Sequence, residues 1–284
     1  MHLPQRRTFA LKTFEGYFSD EVIVNELCRF RVKLAKKRND ALFLHRISSD
    51  AQRISDGHEL QIFPPRRQWK RFRPARRGKQ GSLKSNLTAL RRAVAVLRLK
   101  KPKPKWAREL ERFVTAIRNR ALAPTTSKFN PPRILPGEKD PAKHEYRPIA
   151  VFQLKDKVIE SITARYLREI FDCALTDSCL AFRCGRNGMP PPQTHDAVQK
   201  ILNVNRYHRR RGLFVAECDI KGFFDCVAHS VALSSLEGLE RDAKRKMPRL
   251  SIDPRAKRIF IAYLNIYSFP RTIMIDAVAQ LKRW

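Results

Sequence analysis

The segment Leu213–Asp225 reads Leu-Phe-Val-Ala-Glu-Cys-Asp-Ile-Lys-Gly-Phe-Phe-Asp and holds the residue types best suited to chemistry. Leu213, Phe214, Val215 and Ala216 form a short apolar run of the kind that makes a buried strand. Glu217 and Asp219 then interrupt it, followed by a Lys-Gly turn, two phenylalanines and Asp225. A carboxylate at the end of a buried strand is costly unless something pairs with it. In so basic a chain the partner is either Arg or Lys or a hard divalent cation, and magnesium favours a few carboxylate oxygens together with substrate phosphates. Asp219 beside Phe223 and Phe224 therefore suits a metal-bound nucleotide. A plain strand-to-helix turn would use the same aspartates as backbone caps.

Asp219-Ile-Lys-Gly-Phe-Phe-Asp225, with His229 beyond it, resembles the first catalytic motif of bacterial reverse transcriptases, the group that includes retron and group II intron enzymes. Upstream, Tyr146-Arg-Pro-Ile-Ala-Val151 followed by Leu154-Lys-Asp-Lys157 is similar to the fingers segment of that family. Ala181-Phe-Arg183 with Gly185, then His195-Asp-Ala197, resembles the motif that comes next. Three blocks in order, across residues 132–229, are more specific than any one alone. The resemblance implies a right hand of fingers, palm and thumb acting on an RNA template or RNA–DNA hybrid. It implies that Asp219 binds Mg2+ with the backbone carbonyl of Ile220 beside it. It also implies that Arg147 contacts the triphosphate of a dNTP, with Lys155 and Lys157 as helpers. Phe224 would pack under the incoming sugar and clash with a 2′-hydroxyl. Taken alone, the residues leave simpler roles open. Arg147 can pair with Glu145, Lys155 and Lys157 can be solvated on the first turn of a helix, and Arg183 can pair with Asp172 or Asp177. His195 and Asp196 can serve as caps behind Thr194.

One departure from the family outweighs the matches. Two-metal polymerisation needs carboxylates for both ions, and in the family a Tyr-x-Asp-Asp hairpin supplies those that the first motif does not. No Asp-Asp dipeptide and no Pro-Gln-Gly turn occur in this sequence. After Asp225 the acids are Glu237, Glu240, Asp242, Asp253 and Asp276, scattered through helix-like segments. The expectation is a fragment or split part that stops inside the palm and extends no primer alone, either a truncated reading frame or a subunit completed by a second polypeptide that carries the rest of the palm and thumb. The alternative is a non-catalytic RNA-binding protein derived from a reverse transcriptase.

Charge points the same way as the motifs. The formal net charge is +32, from 59 Lys and Arg against 27 Asp and Glu, a signature of nucleic-acid binding because each neutralised phosphate releases counterions. From Leu60 to Arg108 there are 17 Lys or Arg and no Asp or Glu. Arg66, Arg67, Arg71, Arg73, Arg76 and Arg77 lead this stretch, with Trp69 and Phe72 interleaved. Arg forks match phosphate geometry and aromatic rings can stack on unpaired bases; a solvated basic linker is the plainer reading.

The elements that would position these groups follow from periodicity. Ser19 is placed to cap a helix to about Lys37, with Val22, Leu27, Phe30 and Leu34 on one face. Residues 48–81 are polar, then Pro- and Arg-rich, and read as a loop whose basic arm covers about 60–81. Ser82 opens an amphipathic helix with Leu83, Leu87, Leu90, Val94 and Leu97 on its apolar face and Lys84, Arg91, Arg92 and Arg98 opposite. Lys101-Pro-Lys-Pro-Lys105 ends it, and a second helix turns Trp106, Leu110, Phe113 and Ile117 inward. Ala123–Pro141 is extended. Then come a strand from Arg147, a helix with Val158, Ile162, Leu167 and Ile170 inward, a helix from Thr194, a strand at Leu213, and a helix opened by Asp253-Pro254. The fold class expected is α+β, helix-rich, comprising right-hand fingers and a partial palm. Residues 1–131 form a basic helical region and residues 132–284 the reverse-transcriptase-like part.

Several classes are disfavoured. The longest uncharged apolar run, Ile259–Pro270, is too short to span a bilayer, and the N-terminus lacks the apolar core of a signal peptide, so a cytoplasmic location is expected. Cys28, Cys173, Cys179, Cys184, Cys218 and Cys226 form no Cys-x-x-Cys pair and read as reduced thiols. Gly78-Lys79-Gln80 lacks the hydroxyl of a Walker phosphate loop.

Overall fold

The structure is a computed structural model. It describes residues 13–39, 61–72, 83–125, 129–140, 145–176, 178–181, 183–185, 191–208 and 227–266, with the backbone alone at 34–39, 133–140, 145–149 and 151. The described elements are α1 (Phe14–Tyr17), α2 (Asp20–Asn39), α3 (Arg66–Trp69) continued by a 3-10 turn (Lys70–Phe72), α4 (Leu83–Leu97), α5 (Lys105–Leu122), β1 (Arg133–Asp140), β2 (Glu145–Val151), α6 (Leu154–Phe171), α7 (Thr194–Tyr207), α8 (His229–Lys246) and α9 (Pro254–Ile266). The chain is helix-rich, as expected, and one antiparallel pair supplies the strands among the described residues. The strand expected at Leu213 lies outside them.

Contacts divide the described chain into two units. One holds Ala164–Lys257 and the other residues 13–163 and 258–266. The boundaries of these units fall within α6 and α9.

In the larger unit the core gathers around α2. Ser19 precedes the helix and its carbonyl accepts the Ile23 N–H at 3.0 Å. Phe14, Phe18, Ile23, Leu27 and Cys28 are buried, with Phe14 and Phe18 edge to face at 5.1 Å. Each such side chain contributes about 1.5–3 kcal/mol through burial. Burial with little compensating charge pushes the Cys28 thiol up to about 12, against the smaller opposite pull of Arg91.

Helices α4 and α5 both pack on α2. The face α4 turns inward is Ala89, Leu90, Ala93 and Val94, while Leu83 is 42% exposed. Small alanines let the helix backbones approach closely, which a leucine count does not foresee. On α5 the buried residues are Ala107, Leu110, Val114, Ile117 and Ala121, so the stripe is rotated from the expected one and leaves Trp106 and Phe113 half-buried at its edge.

The stretch read as a loop is partly ordered. Ile62, Phe63 and Trp69 are buried, and α3 with its 3-10 turn packs against α4. Residues 73–82 lie outside the described part. The β1–β2 ribbon pairs Arg133 with Val151 and Gly137 with Arg147, with an irregularity between Glu138 and Asp140. Pro136 faces Pro148; a two-stranded ribbon tolerates this because alternate N–H groups have no ladder partner.

The second unit is built on the end of α6, where Tyr166, Leu167, Ile170 and Phe171 are buried. The Tyr166 hydroxyl accepts the Asp253 N–H at 2.9 Å. Asp253 in turn accepts the Arg255 N–H at 2.8 Å, the cap expected before Pro254. Helix α7 buries none of its residues.

Candidate nucleic-acid interface

Three groups of residues can be traced from sequence to structure, and the basic segment is the best described. Arg66, Arg67, Lys70 and Arg71 are exposed on α3 and its 3-10 turn, and Lys84 and Arg92 are exposed on α4. Because α3 packs on α4, two stretches of the basic run are carried by one packed block. Among the described residues none of these six makes an ion pair, whereas Lys103 is paired with Glu111 at 2.7 Å. Arg91 differs: it is half-buried and its Nε is enclosed with no hydrogen-bond partner. Arg73, Arg76 and Arg77 lie outside the described residues.

The aromatic part of the expectation needs correction. Trp69 is 2% exposed, and its indole Nε1 is buried without a partner. Its ring is a core side chain of the α3–α4 block and has no face for a base. Phe72 is half-buried.

The second group surrounds the ribbon. Arg147 lies on β2 opposite Gly137, and Lys155 follows in the first turn of α6. The Lys155 ammonium sits 5.3 Å from the centroid of the Phe113 ring, and Lys157 sits 5.3 Å from that of Phe30. Both charges are thus held over aromatic faces.

Between the two lysines lies a residue the sequence did not single out. Asp156 is fully buried, its Oδ2 accepting the Asn130 N–H at 3.2 Å, with Arg120 Nη1 at 2.8 Å from Oδ1. Oδ1 gains Coulombic attraction from that guanidinium but no hydrogen bond. Asn130 also donates to Gln153 at 2.9 Å, and Arg120 covers the Phe129 ring. The cluster ties α5, the entry to β1 and the start of α6 together. Burial raises the Asp156 carboxyl above its ordinary pKa, with Arg120, the Asn130 hydrogen bond and Lys155 pulling the other way. Alternation of Lys, Asp and Lys in sequence gave no sign of this, because the partners are distant in the chain.

The third group has structural roles. Arg183 Nε lies 3.0 Å from Asp172 Oδ1, and its Nη1 donates to the Thr176 carbonyl at 2.8 Å. Asp172 also accepts the Cys184 N–H at 2.9 Å. Asp172 is one of the two partners left open for Arg183; the other, Asp177, lies outside the described residues. Asp196 closes a capping box with Gln193, its carboxylate accepting the Gln193 N–H at 2.6 Å.

Asp219, Ile220 and Phe224 lie outside the described residues. Among the described residues no group of three His, Cys, Asp or Glu side chains could hold a metal ion, and no helix is long and apolar enough to cross a membrane. No protein-family model, no curated protein and no solved structure matches the chain.

Proposed function

We propose that this chain contributes the fingers and the first palm segment of an RNA-directed DNA polymerase of the bacterial reverse-transcriptase type, an α+β right hand that works in the cytoplasm on an RNA template–primer or RNA–DNA hybrid with dNTPs. The observation that carries the reading is the order of three sequence blocks, Tyr146–Lys157, Ala181–Ala197 and Asp219–His229. Two further features support it: an extended strand bearing Arg147 leads directly into a helix with Lys155 in its first turn, and an exposed, unpaired cationic block lies in the same unit.

In this reading Asp219 and the Ile220 carbonyl hold magnesium, which when bound supplies charge neutralisation for the triphosphate and activation of the primer hydroxyl. Arg147 binds the triphosphate, and Phe224 excludes a 2′-hydroxyl from the sugar pocket. Carboxylates beyond those of these 284 residues complete the centre, since the sequence holds no Asp-Asp pair. Further residues of a longer protein or a second polypeptide are the proposed source.

The test is primer extension on primed RNA with Mg2+ and dNTPs. The purified chain should bind the template and extend nothing. Extension should arise when a polypeptide with a Tyr-x-Asp-Asp motif encoded beside it is added, and Asp219→Ala should abolish it. Extension that survives Asp219→Ala would overturn the assignment. RNA binding with no extension under any complementation would favour the non-catalytic RNA-binding reading.

A further inference from the structure

We propose that α7 pairs with the α7 of a second copy of this chain, parallel across a two-fold axis, with Asn205 meeting Asn205. The inference goes beyond the polymerase role above and does not depend on it. Helix α7 lies wholly in the Ala164–Lys257 unit. Among the described residues it is the one helix of eight or more residues that buries none of its side chains. Its apolar residues nonetheless form a face. Val198, Ile201 and Leu202 recur at helical spacing with Val204 beside them, and each is 44–57% exposed. A helix of this length is marginal alone in water and draws its stability from packing such a face.

The chemistry of the face selects what covers it. Asn205 follows Val198 by two helical turns, so it continues the same stripe, and it too is exposed. On the opposite side Gln199 donates to Asn203 at 2.8 Å, whereas the Asn205 amide makes no hydrogen bond among the described residues. An amide is donor and acceptor at once, so its complement is another amide, and a two-fold axis brings the same residue from each copy together. Heptad pairing uses a single asparagine at an a position in this way to fix a parallel dimer and its register. Val198 and Asn205 then occupy a positions, and Thr194 and Ile201 d positions.

The margins of the stripe favour a like partner. Ala197, Leu202 and Val204 stand at the g and e positions, where charges would otherwise choose an unlike helix. The charged residues of α7 are Asp196, Lys200 and Arg206, one acid against two bases. The helix itself therefore repels a second copy little, although the whole chain carries +32. A lipid surface would bury the Asn205 amide unpaired, and a phosphate backbone finds no cation within the stripe. At 1.5 Å per residue α7 is about 21 Å long, a contact short of the roughly 1,200 Å2 of a standard interface. The dimer is accordingly weak, in the micromolar range.

Sedimentation equilibrium tests this on the full chain, freed of nucleic acid by nuclease and held at about 0.5 M salt, where charge repulsion is screened within a few ångströms. A monomer–dimer equilibrium should appear in the micromolar range and should hold or tighten as salt rises. Ile201→Glu places a charge in the stripe and should weaken pairing about tenfold or more. Asn205→Asp and Asn205→Lys each set like charges against each other and should weaken it similarly, while an equal mixture of the two should pair again at about wild-type affinity. That recovery is a readout a role inside one copy would not give. A chain monomeric up to submillimolar concentration, a dimer indifferent to Ile201→Glu, or a mixture that fails to recover would overturn the inference and leave the polymerase reading untouched. Association that vanishes with nuclease or salt would show nucleic acid or charge as the bridge and overturn it equally.

Discussion

Replacing Asp156 separates two explanations of its burial. Its carboxylate is fully buried, accepts the Asn130 N–H at 3.2 Å and stands 2.8 Å from Arg120. If the ion pair dominated, any neutral residue would be strongly destabilising, since breaking a buried pair typically costs about 3–5 kcal/mol. The geometry argues otherwise. Burial is the largest influence and raises the pKa despite Arg120, and Arg120 keeps 21% of its side-chain exposure and a ring contact with Phe129. Asp156→Asn retains an oxygen for the Asn130 N–H and removes the buried charge, so it should lie within about 1 kcal/mol of wild type. Asp156→Ala strands that N–H, at about 1–3 kcal/mol, and leaves a small void, for about 2–3 kcal/mol in all. Urea unfolding gives both numbers, and exchange of the Asn130 amide should quicken in the Ala variant alone. The pH dependence has a definite sign. A carboxyl raised in the folded state contributes stability that is complete below the unfolded value of about 3.9 and is lost as pH rises through the folded pKa. Measured against the non-titrating Asn variant, wild type should therefore gain stability as pH falls from neutral towards about 4. Equal large losses for Asn and Ala, or a wild type that weakens relative to Asn on acidification, would refute the reasoning.

Substitutions at three other positions test separate features. Arg183→Leu takes the guanidinium away from Asp172, itself 5% exposed, and from the Thr176 carbonyl, and should cost about 3 kcal/mol in urea unfolding; Arg183→Lys should lose about half of that, because an ammonium cannot bond both the carboxylate and the Thr176 carbonyl in the guanidinium's fork. Burial alone would raise Glu240, but hydrogen bonds and charge from Lys257 and Lys244 outweigh it and hold the carboxyl below its ordinary value. Glu240→Gln should cost about 1 kcal/mol at neutral pH, the lysines being partly exposed, and that cost should disappear as pH falls below about 4.3 through the lowered folded pKa. Gly238 lies inside α8, and a Cβ there would meet Arg241 Nη2 at 3.9 Å, an ordinary contact. Gly238→Ala should raise stability by about 0.5–1 kcal/mol in thermal or urea unfolding.

Elements whose evidence is local were legible in the sequence. The aliphatic residues Val158, Ile162, Leu167 and Ile170 recur at helical spacing and are all buried on α6, and Asp253-Pro254 marks the start of α9 by capping chemistry that needs no distant partner. Faces were less legible where size misleads. Periodicity drew attention to Trp106 and Phe113 on α5, yet the fully buried face is Ala107, Leu110, Val114 and Ile117. Large rings sit half-buried at the margin of that face, where Phe113 receives the Lys155 ammonium. The same bias affected α4, whose inward face depends on Ala89 and Ala93 while the expected Leu83 faces outwards.

Long-range partners explain the rest. Asp156 looks neutralised between Lys155 and Lys157, although the partners that matter are Arg120 and Asn130. The basic run shows the same limit in a form that bears on function. Composition alone establishes that residues 60–108 repel one another and attract polyanions. It does not establish whether the tryptophan among them faces a ligand or the core, because an Arg-rich stretch interrupted by prolines reads as a loop in either case. The burial of Ile62, Phe63 and Trp69 turns part of that stretch into a packed anchor for α3. Once the ring belongs to the anchor, the arginines around it lose it as a stacking partner. The exposed cations of the surface suit the charge density of a phosphate backbone, and the ring that would have offered the largest stacking platform serves the core instead.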